Sequence, residues 1–334
     1  SRTPCWVRSP EIWYVVRTAR IFVKPQGQNP AGDAGRSTMS DAMISAVVAG
    51  EDIYGVAAVT TEMVEHAQRL HGACPTASAA LGRLMTGGAL MGCLSKEPTH
   101  RLVLQVTCKG PVQRIHVEAN GAGQVRGYLG QPVVNLPSRN GKLDVGGAVG
   151  KGVLHVMRDT GLREPYSGAV PLISGEIAED LASYFVQSEQ IPSAVSLGVF
   201  VSANQTVTAA GGFLLQFLAT LPEDLVTHIE QSLAVIPPVT TMVREGYTPE
   251  EMLQRALGGL PFAIVRNTLP MWACRCSRER MSQTFVALGA EELRQMVAEQ
   301  RDIQARCTFC SVSYVFTPQE MVQLLEEALE AEIE

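Results

Sequence analysis

Four cysteines near the end of the chain have the types and spacing of a metal site. Cys274 and Cys276 flank a single arginine in W-A-C-R-C-S-R-E-R, and Cys307 and Cys310 form a C-T-F-C pair further along. A disulfide across one intervening residue closes a small ring that is strained and easily reduced. Binding of both thiolates to one metal ion avoids this strain. The two pairs together supply the four sulfur ligands of a closed tetrahedral zinc site. The sequence therefore predicts one Zn²⁺ per chain, held by these four cysteines.

Three uses of such a zinc site are open on the residues alone. A structural module for nucleic-acid or protein contacts is the commonest, but residues 274–334 carry six arginines, no lysine and eleven acids, a poor surface for phosphates. A thioredoxin-like redox motif needs a helix after its C-x-x-C, whereas S-V-S-Y-V-F follows here and has the pattern of a strand. The third use is a switch, because metal-bound thiolates stay open to oxidants such as peroxide or hypochlorite. Oxidation would then remove on the order of 10 kcal/mol of folding free energy, which exceeds the margin of a small module.

The composition is that of a globular protein with more than one domain. The chain has 334 residues, 46% of them hydrophobic and 18% charged, and a formal net charge of −6. This acidity argues against a dedicated nucleic-acid binder. The longest uncharged stretch, residues 191–222, contains two prolines and alternates apolar with small or polar residues. It predicts two strands around a turn and not a membrane span, so we expect neither nucleic acid nor a membrane among the partners.

The remaining cysteines and a glycine-rich motif do not indicate catalysis. Cys5, Cys74, Cys93 and Cys108 are scattered, and in a chain without a secretory signal we expect them to be inert thiols in a reducing compartment. The motif G-G-A-V-G-K-G lacks the first glycine and the Ser or Thr of a P-loop, and no G-x-S-x-G is present. We therefore expect that the protein is not an enzyme.

The elements that must position the zinc site form an α+β arrangement. Residues 39–220 predict a mixed sheet-and-helix core domain, with helices at T-E-M-V-E-H-A-Q-R-L and over 76–94 and with several strands after them. Residues 221–270 predict a helical linker, in which a Thr248–Glu251 capping box opens one helix. The apolar faces of these helices must pack on something, because helices this short are marginal in water. The faces consist of Leu225, Ile229, Leu233, Met252, Leu253 and Leu257.

The last unit, residues 271–334, predicts a small zinc-binding redox-switch domain. Ser277 can cap a helix, and I-Q-A-R-C-T-F-C-S-V-S-Y-V-F predicts a hairpin whose turn is the C-x-x-C pair. A second capping box at Thr317 opens an acidic C-terminal helix. A unit with so few large apolar side chains is expected to need a stabilising cross-link, such as a bound metal ion, in order to fold.

Residues 1–38 differ from the rest of the chain. They contain six basic residues and two acidic ones, with several Pro and Gly residues before Met39. A basic, acid-poor leader is typical of an organelle transit peptide, and an extension upstream of a start at Met39 is the alternative. We expect the protein in the cytoplasm, or in the chloroplast or mitochondrion if residues 1–38 are a transit peptide.

Long motifs in both the core and the last unit match one known pattern. The last unit contributes C-R-C-S-R-E-R, L-G-x-E-E-L and C-T-F-C…Y-x-F. The core contributes G-Q-V-R-G-Y, G-K-L-D-V-G-G-A-V-G-K-G, P-Y-S-G-A-V-P-L-I-S-G-E-I-A-E-D-L-A-S-Y-F and S-E-Q-I-P-S-A-V-S-L-G-V. From about Asp41 to the C-terminal helix, the chain resembles the redox-regulated heat-shock holdase chaperones of 33 kDa. Residues 1–38 lie outside the family pattern, and all four cysteine positions agree with it.

The resemblance implies an ATP-independent chaperone that is inactive when it is reduced with zinc on the four cysteines. It implies that oxidation forms disulfides between near neighbours, Cys274–Cys276 and Cys307–Cys310, and that the zinc domain and then the linker unfold. Exposed apolar surface captures unfolding client proteins, and active members form homodimers. The linker faces named above are the client-binding candidates. The alternative from another class is a constitutive zinc-stabilised adaptor that binds one folded partner.

Overall fold

The chain folds into two compact units whose boundary in sequence lies between Trp272 and Ala273. The computed structural model describes residues 40–95, 97–139, 142–162 and 164–331. The predictions for residues 1–38 lie outside these ranges. Sheets and helices are mixed in the described residues, which confirms the predicted α+β class.

The first unit contains eleven strands and seven α-helices in its described residues. The strands are β1 (Ala42–Val48), β2 (Ile53–Val59), β3 (Arg101–Cys108), β4 (Arg114–Asn120), β5 (Gln124–Leu129), β6 (Gly152–Asp159), β7 (Tyr166–Pro171), β8 (Ser193–Val201), β9 (Val207–Phe217), β10 (Phe262–Thr268) and β11 (Met271–Trp272). The helices are α1 (Thr61–His71), α2 (Pro75–Cys93), α3 (Val145–Val149), α4 (Ala178–Tyr184), α5 (Glu223–Val235), α6 (Val239–Arg244) and α7 (Pro249–Ala256). A π-helical turn, Phe185–Glu189, extends α4.

These strands build two sheets. The five-stranded sheet has the order β10-β1-β2-β9-β8 and is antiparallel throughout. The six-stranded sheet has the order β11-β5-β4-β3-β6-β7 and is antiparallel except for the short parallel pair β11 and β5. In the five-stranded sheet Ile44 lies opposite Ala57, and Ala57 lies opposite Phe213, so these three side chains share one face.

Helix α2 packs against both sheets, and nearly all of its residues are buried. Its sequence is rich in Gly, Ala and Ser, because the strands approach it too closely for larger side chains. A Cβ atom on Gly92 would lie 2.8 Å from the carbonyl oxygen of Asn120, and a Cβ atom on Gly88 would lie 2.9 Å from Val117 Cγ1. The predicted helix over 76–94, buried where close approach matters more than bulk, is confirmed.

The segment 221–270 packs on the five-stranded sheet, on the face that lies away from α2. Helices α5, α6 and α7 share one hydrophobic cluster with Ile44, Ala57 and Phe213. The prediction that this segment is helical alone is wrong at Phe262–Thr268, which forms β10 and pairs with β1. The β-branched pair Ile264–Val265 favours a strand, but the partner strand lies at the other end of the unit in sequence, so no local pattern indicated the pairing.

The second unit has a hairpin and three helices in its described residues: α8 (Arg278–Val286), α9 (Ala290–Ala298), β12 (Ile303–Arg306), β13 (Ser313–Phe316) and α10 (Pro318–Ala331). The predicted capping box at its last helix is present. The Thr317 N–H donates to Glu320 Oε2 at 2.8 Å, and the Glu320 N–H donates to Thr317 Oγ1 at 3.3 Å. Across the described part of the chain, no helix combines the length and the apolar character that a membrane crossing requires.

Candidate metal centre

The C-x-C pair lies in the extended segment that leads into α8. Cys274 and Cys276 precede Ser277, whose hydroxyl oxygen accepts a hydrogen bond from the Arg280 N–H at 3.3 Å. Ser277 therefore caps α8 as predicted, and this cap fixes where the helix begins. Because the cap ends the extended segment, it also holds both cysteines just outside the first turn of the helix.

The C-x-x-C pair lies in the turn of the hairpin β12–β13, as the sequence predicts. Arg306 pairs with Ser313, the Cys307 N–H donates to the Val312 carbonyl at 2.9 Å, and the Ser311 N–H donates to the Cys307 carbonyl at 2.8 Å. Ser311 has a φ of 59°, in the left-handed region that a tight turn requires. The chain leaves this turn as a strand and not as a helix, which removes the dipole that a thioredoxin-like thiol would use.

The four cysteines come together at one point. Their Sγ atoms all lie within 4.8 Å of one another. Cys274 Sγ is 3.7 Å from Cys307 Sγ, and Cys276 Sγ is 3.2 Å from Cys310 Sγ. Sulfur atoms on a tetrahedral zinc ion, at about 2.3 Å from the metal, are about 3.8 Å apart. The arrangement is thus close to the size of a four-sulfur metal site and can hold a metal ion.

The charges of the cluster also favour a cation. Burial opposes ionisation of Cys274, but hydrogen bonds from the Cys276 N–H and from the neighbouring thiols lower the pKa of Cys274 to about 7. Burial raises the pKa of Cys307 and of Cys310, and the sulfur of Cys274 raises both further. Cys274 therefore ionises readily, whereas Cys307 and Cys310 resist ionisation. A divalent cation removes that resistance, because it compensates the clustered negative charge.

Hydrogen-bond donors surround the sulfurs. At least three of the four accept from backbone N–H groups. These pairs are Cys276 N–H to Cys274, Phe309 and Cys310 N–H to Cys307, and Val312 N–H to Cys310. The fourth sulfur, that of Cys276, accepts from the hydroxyl of Tyr314 at 3.3 Å. Donors of this kind stabilise thiolates and orient metal ligands.

The hydrophobic core beside the cysteines is small. Phe285 and Phe316 pack edge to face, with ring centroids 5.1 Å apart, and the Arg278 guanidinium lies over the Phe316 ring at 4.4 Å. The buried apolar side chains of this cluster are Phe285, Leu293, Phe316, Met321, Leu324 and Ala328. A core of this size offers little stability by itself. This agrees with the prediction that the unit needs a stabilising cross-link in order to fold.

The predicted client-binding residues lie in the first unit, among the linker helices. Ile229 and Leu233 of α5 are buried, and so are Met252 and Leu253 of α7 and the adjoining Leu257. Leu225 is partly buried against the same cluster. They face the five-stranded sheet and do not join the cysteine cluster. Whether they bind clients stays a prediction.

The other thiols are separate from this site in the described residues. Cys93 is buried, and Cys74 and Cys108 are half-buried. Burial raises the pKa of Cys93 and of Cys108, which makes both thiols poor nucleophiles. Cys5 lies outside the described residues.

Sequence reasoning assigned no role to Tyr314, although the residue belongs to the Y-x-F pattern after the C-T-F-C pair. Its position four residues beyond Cys310 placed it on the outgoing arm of the hairpin. The contact with Cys276 forms only when the two cysteine pairs come together. The spacing of Tyr314 from Cys310 in the sequence does not indicate which sulfur the tyrosine hydroxyl contacts.

Comparisons with known proteins agree on one family. The model of the Hsp33 protein family matches residues 41–317, a range that includes all four cysteines. A 33 kDa chaperonin of Lachnoclostridium phytofermentans is 42% identical over 288 residues, covering 86% of this chain and 99% of that protein. A 33 kDa chaperonin of Geobacter sulfurreducens is 45% identical over 294 residues, covering 88% of this chain and 97% of that protein.

A solved structure is similar as well. The crystal structure of an Hsp33 homologue from Thermotoga maritima superimposes with a TM-score of 0.80 at 34% sequence identity. The match covers 87% of this chain and 100% of that chain. The similarity is thus one of fold as well as of sequence.

Proposed function

This chain belongs to the Hsp33 family, and from that premise we propose that it is a redox-regulated, ATP-independent holdase chaperone. Its relatives carry the name 33 kDa chaperonin, which supports the binding of unfolded clients as the general activity. The finer proposal is a gate: the reduced protein with its metal is inactive, and oxidation of the four thiols makes it active.

The metal that we propose is one Zn²⁺ per chain, on Cys274, Cys276, Cys307 and Cys310. Four sulfur ligands within 4.8 Å of one another suit zinc better than a hard cation such as magnesium. When bound, zinc supplies charge compensation and a cross-link between the C-x-C segment and the hairpin. Structural zinc contributes on the order of 10 kcal/mol to the folding of small modules.

Oxidation would remove the ligands on which the second unit depends. We propose that it joins Cys274 to Cys276 and Cys307 to Cys310. When each disulfide forms, two thiolates together lose two electrons to an oxidant such as peroxide. A disulfide sulfur no longer carries the charge that a zinc ligand needs. The unit then retains only its small apolar core, and we expect it to unfold.

The linker supplies the surface that captures clients in this proposal. In the folded state Ile229, Leu233 and Leu253 are buried on the five-stranded sheet. Release of α5–α7 would uncover the linker faces and, on the sheet, Ile44 and Phe213 together. A contiguous apolar patch of this kind binds non-native chains without consuming nucleotide. In this active form we propose a homodimer, in the cytoplasm or, if residues 1–38 are a transit peptide, in a chloroplast or mitochondrion.

One observation carries the proposal: four thiols converge in a unit that has only a small apolar core of its own. The test treats the reduced, zinc-loaded full chain with peroxide at mildly raised temperature. Zinc release, client aggregation and hydrogen exchange of α5–α7 are followed together. We expect zinc release to accompany both the loss of protection in α5–α7 and the suppression of aggregation. Full client protection by the reduced form, or unchanged protection of α5–α7 after oxidation, would contradict the gate.

The test also separates the alternatives. Cys274→Ser removes one ligand, and Cys108→Ser is the matched control because it replaces a half-buried thiol outside the cluster. A constitutive zinc-stabilised adaptor predicts that Cys274→Ser lowers stability and that binding is indifferent to peroxide in every variant. A thiol oxidoreductase predicts repeated turnover of disulfide substrates, whereas a holdase protects clients stoichiometrically.

A further inference from the structure

Tyr314 joins the two halves of the thiol site. It lies on β13, where it pairs with Ala305 of β12, so it belongs to the hairpin that carries the C-x-x-C pair. Its hydroxyl nevertheless donates to the sulfur of Cys276, which belongs to the C-x-C pair, at 3.3 Å. The contact therefore spans 38 positions of the chain and connects the C-x-C segment with the hairpin.

This donor differs in kind from those around the other sulfurs. Cys274, Cys307 and Cys310 accept from backbone N–H groups, which every variant of the chain retains. The hydroxyl of Tyr314 belongs to a side chain and can be removed alone. Its ring is half-buried against the small core of the second unit, so phenylalanine at this position keeps the packing.

From this geometry, and resting on the proposed function, we infer that Tyr314 is a positioning residue that sets how readily Cys276 reacts with a peroxide. A hydrogen bond to a thiolate withdraws electron density from sulfur and weakens it as a nucleophile. The same bond holds Cys276 toward the hairpin, where the other ligand pair lies. Tyr314 thus raises the oxidant concentration at which the site opens.

The reaction that it restrains is a two-electron oxidation. The Cys276 thiolate attacks one oxygen of hydrogen peroxide, the O–O bond breaks and hydroxide leaves, which yields a sulfenic acid. The Cys274 thiolate then attacks that sulfur, an S–S bond forms, and the sulfenic oxygen leaves as a second hydroxide. One peroxide is reduced to two hydroxides while two thiolates are oxidised to one disulfide.

The experiment compares Tyr314→Phe with two control variants in the reduced, zinc-loaded full chain. Thr284→Val removes a hydroxyl of the second unit that bonds only to the backbone of α8 and is exposed. Val315→Ala weakens the same hairpin strand at a 47% exposed side chain and leaves the hydroxyl of Tyr314 in place. For each variant we measure zinc affinity by competition, zinc release at fixed peroxide and the sulfenic acid trapped on Cys276.

For Tyr314→Phe we expect an affinity for zinc and a resistance to peroxide that are each lower by about tenfold, the ordinary effect of losing a partner of a metal ligand. We also expect more sulfenic acid on Cys276. With Co²⁺ in place of zinc, the sulfur-to-metal charge-transfer band should move to lower energy in Tyr314→Phe. The band should not move in Thr284→Val or Val315→Ala. Of the groups that these three substitutions remove, only the tyrosine hydroxyl contacts a ligand sulfur.

An unmoved band in Tyr314→Phe, or zinc release as fast in Val315→Ala as in Tyr314→Phe, would overturn the inference, since the effect would then be one of hairpin stability. The proposed function fails differently. If the wild-type protein keeps its zinc under peroxide, the redox gate itself is wrong. If the wild type and Tyr314→Phe release zinc at one rate, the gate stands and only the role of Tyr314 is lost.

Discussion

The two units of this chain hold themselves together by different means. The first unit buries α2 against two sheets and covers one of those sheets again with the helices α5–α7, so its stability comes from two large hydrophobic clusters. The second unit has a cluster of only six buried apolar side chains, and it brings four thiols within 4.8 Å of one another. The buried side chains of the first unit are mostly hydrocarbon, which peroxide does not oxidise, although its clusters also contain methionines such as Met85 and Met252. In the proposed function the second unit depends instead on four metal-bound cysteine sulfurs, which peroxide oxidises.

A redox signal acts most effectively on a protein where a large share of the folding free energy depends on a few oxidisable atoms. Each buried methylene group contributes about 0.8 kcal/mol to folding stability. Several such groups must therefore be lost before a large core unfolds. A metal centre concentrates a larger free energy in four atoms that one class of reagent can alter. The linker belongs by its packing to the first unit, yet the proposed mechanism makes it respond to the second. Hydrogen exchange of the linker is therefore the most informative measurement on this molecule.

Removing a metal ligand should change the stability of the second unit more than any other single substitution. Cys307→Ser should abolish tight zinc binding and unfold residues 273–331, with a loss on the order of 10 kcal/mol of the stability of that unit. Hydrogen exchange should show α8–α10 unprotected and α2 still protected. Cys93→Ser, at a thiol buried in the first unit, should leave the zinc content unchanged. A second unit that keeps its protection in Cys307→Ser, or in the wild type with a chelator, would contradict the difference between the units.

Two fully buried leucines, one in each unit, should respond differently to truncation. Leu84 of α2 and Leu293 of α9 are both 0% exposed, and replacing either by alanine should cost about 3–5 kcal/mol. Leu84→Ala should lower the melting temperature of the first unit and leave the zinc affinity unchanged. Leu293→Ala should weaken zinc affinity by about 100-fold or more, because metal binding and folding of the second unit are linked. Equal zinc affinities in the two variants would show that the second unit folds without its metal.

A smaller effect is expected from the cap of α7. The Thr248 hydroxyl accepts from the Glu251 N–H at 3.2 Å, and the Glu251 carboxylate accepts from the Thr248 N–H at 2.8 Å. Thr248→Ala should destabilise the linker by about 1 kcal/mol and make α5–α7 lose protection at a lower temperature. Thr227→Ala is the control, since its exposed hydroxyl bonds only to a carbonyl within α5. If both variants open the linker alike, the capping box does not hold it.

The smallest effect concerns a carboxyl group of the linker. Burial raises the pKa of Glu230 on α5, and its Oε1 is buried without a hydrogen-bond partner in the described structure. A folded-state pKa above the unfolded value contributes stability at low pH, and this contribution disappears as the pH rises through the folded pKa. Glu230→Gln should therefore flatten the pH dependence of linker melting above pH 4.5 and make the linker slightly more stable at pH 7. An unchanged slope would mean that water solvates this carboxylate.

Sequence reasoning reached the elements whose signals are local. The small-residue pattern of α2, the Thr248 and Thr317 capping boxes and the hairpin around Cys307 and Cys310 were all predicted, because each depends on residues within a turn or two of one another. The convergence of the two cysteine pairs was predicted as well, since thiol pairs of this spacing have few other uses.

Contacts between distant segments were not reached. Strand β10 was missed because its hydrogen bonds go to β1, so the pattern of Phe262–Thr268 alone did not distinguish an edge strand from the end of a helical segment. The bond from Tyr314 to Cys276 was missed for a similar reason, because it exists only after the two halves of the site have closed. The sheet face under the linker was also beyond reach, since its residues come from β1, β2 and β9.

The helices of the linker are anchored at both ends in one sheet. β9 precedes α5 and β10 follows α7, and both strands belong to the five-stranded sheet. As long as these strands stay paired, helices that leave the sheet remain tethered at both ends, as a loop of fixed span. A tethered segment returns to its surface at an effective concentration in the millimolar range, far above that of any free chain. In the proposed function, reduction of the thiols would therefore make the linker itself a competitor of the captured client for this sheet face.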